Sequence, residues 1–163
     1  MTANFKDILS QQVDSVERPK LFPKGNYRAV VVSHEYLESS KKQTPFVRFW
    51  TKLVSPMPID DDYEAEKSAE AFEAAGGMEK LGERKPIRND YYLTGDAMYR
   101  LREYLEDTLE LNCAGRPFDE VIPDTTNCQL IVSIIHNPGS KEGEFWMEID
   151  STASINATSD DDD

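Results

Sequence analysis

The sequence predicts a mainly β fold with one to three helices, built as a five-stranded barrel in which a helix separates strands three and four. Three observations carry that expectation. Five separate runs of β-branched and aromatic residues either alternate with period two or are continuously apolar. Between the third and fourth runs, Met98, Leu101, Leu105 and Leu109 recur at helical spacing. Pro, Gly and Asn gather at the joints, as in Phe22-Pro23-Lys24-Gly25 and Asn137-Pro138-Gly139.

The elements follow in chain order. Phe5, Ile8, Leu9 and Val13 are spaced as on a helix, so residues 1–18 form an N-terminal segment with a short amphipathic helix ending before Pro19. Asn26 to Leu37 reads as a long first strand, with Tyr27, Ala29 and Val31 facing one way and Arg28, Val30 and Val32 the other. Glu38 to Thr44 is a polar loop, and Pro45 opens a second strand that runs through Val54. Residues 59–83 are a helical insert: the Asp60-Asp61-Asp62 run, an Ala/Glu-rich stretch from Tyr63 to Ala75, and Gly76-Gly77 as a helix stop. Pro86 to Leu93 is the third strand, after which Thr94 or Asp96 caps a helix running to about Leu111. Gly115 to Asn127 is a loop, Cys128 to His136 a central strand, and Glu144 to Asp150 a fifth strand.

Residues 151–163 hold one large apolar residue, Ile155, and end in Asp160, Asp161, Asp162 and Asp163. That is the composition of a disordered acidic tail, which leaves 19–150 as the folded domain. Three strands, a helix and two strands is the element order of the OB-fold. The same elements also build a sandwich or an open roll.

The chain has 163 residues, 18 Lys and Arg against 31 Asp and Glu, and a net charge of −13, which speaks against a polybasic binder. The charge is uneven, however. Residues 20–55 carry +5 and 84–102 carry +3, whereas 56–83 carry −7 and 103–163 carry −13. Screening over about 8 Å lets such basic surfaces persist beside acidic ones. No apolar run approaches the roughly 20 residues that span a bilayer. Cys113 and Cys128 are the only cysteines. With no apolar leader, they suit a reducing cytoplasm and two buried thiols better than a disulfide framework.

The second strand is the most informative stretch. Period-two alternation places Phe46, Arg48, Trp50 and Lys52 on one face and Val47, Phe49, Thr51 and Leu53 on the other. The second set reads as core. The first combines two rings with two cations at ~6.6 Å steps, which is what stacking unpaired bases and neutralising their phosphates requires. Alternation groups Arg28, His34 and Tyr36 on the first strand, and Arg88 with Tyr92 on the third. Lys41 and Lys42 add charge in the intervening loop. The alternative is that the insert covers this face and its glutamates pair with the cations.

With those stretches the chain resembles the OB-fold single-stranded DNA-binding proteins of bacteriophages, which commonly carry an acidic C-terminal tail. The resemblance rests on Pro23-Lys24-Gly25-Asn26-Tyr27, on Thr44-Pro45-Phe46-Val47-Arg48-Phe49-Trp50, on the loop near Gly115 and on Asp160 to Asp163. It implies sequence-tolerant binding and protection of single-stranded DNA during phage replication or recombination, in the host cytoplasm. It also implies replication or recombination enzymes as partners of the tail, and it allows an oligomer. Many such tails end in an apolar tip, whereas this chain ends in Asp163.

No cofactor or metal is expected. His34, His136, Cys113 and Cys128 are each isolated in sequence, and Asp60 to Asp62 lacks calcium-loop spacing. Gly76-Gly77 does not sit in a phosphate-cradle motif. No nucleophile and base pair is recognisable, so a non-enzyme is expected. The rival readings are an acidic DNA mimic or inhibitor that binds a basic host protein through Asp60 to Glu83 and the tail, and a phage structural or scaffolding component.

Overall fold

The computed structural model describes residues 4–15 and 20–156. Its five strands, β1 (Gly25–Glu38), β2 (Pro45–Pro56), β3 (Ile87–Tyr92), β4 (Gln129–Pro138) and β5 (Phe145–Ser154), form one open antiparallel sheet in the order β3-β2-β1-β4-β5. Each overlaps a run that alternation or, for β4, continuous apolarity marks as strand. β5 continues past its expected end at Asp150 because Ser151 to Ser154 pair with Leu130 to Ser133 of β4, so ladder hydrogen bonding overrides their polar composition. Residues 151–154 are therefore strand and not the start of a tail. Asp160, Asp161, Asp162 and Asp163 lie outside the described residues.

Five α-helices occur among the described residues, more than the one to three expected: α1 (Phe5–Leu9), α2 (Asp62–Ala74), α3 (Gly77–Glu83), α4 (Ala97–Glu103) and α5 (Phe118–Val121). The excess has two sources. Gly76 and Gly77, at φ of 118° and 67°, end α2, yet the chain re-enters helix at once as α3. Asp61, within the acidic run, caps α2 by accepting from Glu64 N at 2.9 Å. In the expected loop 115–127, Phe118, Val121, Ile122 and Thr125 follow helical spacing and form α5 and a 3-10 turn, Ile122–Thr125. Pro117 and Pro123 hide that pattern in the sequence. They fall at the start of each turn, where proline is tolerated.

α4 passes into a π-helical turn, Tyr104–Thr108, and Glu110 at φ 54° ends it just short of the expected Leu111. The core lies on the inner face of the sheet. Tyr27, Ala29 and Val31 of β1, Val47, Phe49 and Leu53 of β2, and Leu130, Val132 and Ile134 of β4 are all buried there. Leu101, Tyr104 and Leu105 close it, with the Tyr104 ring 4.9 Å from Phe49 and 4.8 Å from Tyr91. Phe72 of α2 and Leu81 of α3 extend the same cluster, so the insert is part of the folded body. By contrast α1 buries no residue.

β1 contains the irregularity that matters most for the face. Val31 pairs with Thr51 and Ser33 with Trp50, so Val32 is an extra residue and the alternation inverts beyond it. Before the bulge the even residues Arg28 and Val30 point outward; after it the odd residues Ser33, Glu35 and Leu37 do. Cys113 and Cys128 are free and half-buried, not fully buried as expected. His136 faces the Phe22 carbonyl oxygen at 2.7 Å, a structural contact. No helix among the described residues is long and apolar enough to cross a membrane.

Candidate nucleic-acid interface

Register assigns the outer face of β1, β2 and β3 row by row. Leu37, Phe46 and Tyr92 form the first row, Glu35, Arg48 and Asp90 the second, and Ser33, Trp50 and Arg88 the third. Val30 and Lys52 follow, and then Arg28 beside Ser55. The opposite side of β2 is buried throughout, as the alternation requires. Seven of the expected residues, Arg28, Phe46, Arg48, Trp50, Lys52, Arg88 and Tyr92, thus share one surface.

Its centre is the Arg48 guanidinium, 5.4 Å from the Phe46 ring and 5.4 Å from the Trp50 ring, so ring, cation and ring run along β2. Asp90 holds Arg48 in a two-pronged pair, with Nε to Oδ1 at 2.9 Å and Nη2 to Oδ2 at 3.0 Å. That hydrogen-bonded carboxylate, reinforced by Glu35, raises the Arg48 pKa above the ordinary arginine value in spite of partial burial. Glu35 also accepts from Trp50 Nε1 at 3.0 Å, which fixes the plane of the indole. Neither carboxylate follows from reading one strand at a time. Both sit across from their partners only because the bulge and the β2–β3 register put them there.

Several expectations need correction. Phe46 is 8% exposed, covered by Tyr92 at 5.7 Å between ring centroids, so it supports the face from beneath and is not an open platform. Tyr36 lies on the other side of the sheet from Arg48, because the bulge inverts the alternation that groups it with Arg28. Its phenol is raised in pKa by partial burial and by Asp119 of α5, and its ring meets His34 edge-on at 5.5 Å. Lys52 does not offer its ammonium freely to a ligand. It donates to the carbonyls of Leu81, at 2.8 Å, and of Arg84, and so caps the C-terminus of α3. The insert therefore reaches one cation of the face, through backbone oxygens and not through glutamates.

Lys41 and Lys42 are exposed at the tip of the β1–β2 hairpin, which is closed by Ser39 N to Thr44 O and Gln43 N to Ser39 O, both 2.9 Å. Arg28 is exposed at the far end of the face. From Phe46 to Ser55 the rows span roughly 30 Å. Among the described residues Arg88 forms no ion pair, so it presents an uncompensated charge directly opposite Trp50. Trp146 of β5 is an exposed aromatic outside the expected set, and its alternation with Met147 was the signal that could have found it. The chain matches no protein-family model and no curated protein sequence.

Proposed function

We propose that this protein binds single-stranded DNA, largely without regard to sequence, along the outer face of β2 and β3. The observation that carries the reading is the Trp50 ring, held in plane by Glu35 and flanked by Arg48 and Arg88 on a rigid sheet. A held indole beside an uncompensated arginine suits stacking of an unpaired base with its phosphate neutralised alongside. The strand order and the placement of α4 between β3 and β4 agree with an OB-fold, whose β2–β3 surface is a nucleic-acid site. Residues Asn89 to Tyr92 of β3 and Ile149 to Thr152 of β5 line opposite sides of one cleft, as in a barrel left partly open. On this reading the protein is the kind of phage single-strand binder that its sequence resembles, and it protects exposed strands without catalysing a reaction.

Titration with oligo-dT, followed by tryptophan fluorescence, tests the proposal. Quenching is expected, and Trp50→Ala should weaken binding by about 1–3 kcal/mol with little loss of fold. Log affinity should fall linearly with log salt, by about 0.7 per phosphate neutralised. Unchanged fluorescence and no binding at low salt would refute the reading.

A further inference from the structure

Arg84 lies where α3 hands over to β3, and among the described residues no carboxylate pairs with its guanidinium. Its Nε is buried without a hydrogen-bond partner, while the residue as a whole is only partly buried, so the terminal edge of the fork reaches solvent. Lys52 Nζ is bonded to the backbone oxygen of this same residue. Two cations therefore share one partly desolvated place, and among the described residues no carboxylate pairs with either. Burial, and after it the nearby Arg84 charge, lower the Lys52 pKa; burial lowers that of Arg84, opposed by the neighbouring Tyr27 phenol. An unpaired, half-buried cation is a stability cost that a bound anion would offset.

We infer that Arg84, supported by Lys52, is an oxyanion site that takes a phosphodiester of the single strand stacked on Trp50. This rests on the single-strand reading above. Lys52 is two residues from Trp50 on the same strand face, roughly 6.6 Å away, and Arg88 stands opposite Trp50. The exposed Lys85 continues the positive charge from Arg84 towards β3. A strand leaving the indole towards α3 thus passes from Arg88 to the Arg84 fork, whose planar edge matches two phosphate oxygens.

The experiment titrates oligo-dT and, separately, inorganic pyrophosphate into the full chain and into Arg84→Gln. The variant should bind oligo-dT several-fold more weakly at low salt, with a log–log salt slope shallower by about 0.7. It should melt at or above the wild-type temperature, because the removed charge was unpaired. Arg84→Lys should keep the slope and lose only part of the affinity, and it reads the site should the glutamine variant not fold. At matched ionic strength, pyrophosphate should raise the melting temperature of the wild type and not that of Arg84→Gln. Equal affinity and equal slope in wild type and variants overturn the inference and leave the Trp50 face standing. A wild type that ignores oligo-dT overturns the single-strand reading instead. In that case, pyrophosphate stabilisation that depends on Arg84 identifies free phosphate as the source of the anion, and its absence eliminates the site.

Discussion

The two ends of the outer face of β2 carry similar residues in opposite electrostatic states. At the Phe46 end, Arg48 lies between two rings and in the grip of Asp90, with Glu35 nearby, so its charge is spent within the protein. At the Lys52 end, Lys52 and Arg84 crowd together, and among the described residues no carboxylate pairs with either. Arginine is raised in pKa at one end and lowered at the other. The number of cations on a face thus says little about the field it projects, which depends on what register and connections bring across from each. The locked end holds the shape of the surface, and the open end supplies its attraction for an anion.

Substitutions can break this contrast. The largest effect is expected at the locked end, where Phe46→Ala removes a buried ring from under Tyr92 and should cost about 3 kcal/mol of folding stability, read from denaturant midpoints. A loss of oligo-dT binding with unchanged stability would show that Phe46 is an open platform after all. Next comes Lys52→Met, which leaves two carbonyls at the end of α3 without their donor and should cost about 1–2 kcal/mol of stability. Purely electrostatic involvement would instead shallow the salt slope and leave the melting temperature alone. The smallest effect is expected from Asp90→Asn, which unlocks a partly exposed pair. Stability should fall by about 1 kcal/mol or less, and oligo-dT affinity at low salt should rise a few-fold as Arg48 is released. That gain should fade as salt rises, and weaker binding would mean that Asp90 positions Arg48 for the ligand and does not compete with it.

Much of the fold was legible because its signals are local. Val47, Phe49, Thr51 and Leu53 alternate with polar or aromatic neighbours, and a strand half-buried on a core has no other way to arrange them. Met98, Leu101 and Leu105 likewise mark α4 and the π-helical turn that continues it by spacing alone. The insert was visible as helix but not as two helices, since a Gly-Gly pair marks a break without telling whether the chain resumes. α5 was hidden because its two prolines resemble loop punctuation until their positions at the starts of turns are known.

For the site, the sequence by itself determined which β2 side chains face outward, since the period of a strand is set by backbone geometry and needs no knowledge of neighbours. It also determined that Arg88 and Tyr92 share a face of β3. Only the tertiary structure decided what those side chains do. A single extra residue, Val32, moves Tyr36 to the opposite face and brings Glu35 beside Trp50, and nothing in the local composition of β1 marks a bulge there. The pairing of Arg48 with Asp90 and the capture of Lys52 by Leu81 and Arg84 join residues far apart in the chain. Charge interactions depend on distance in space and on desolvation, and sequence order specifies neither until the strands are paired.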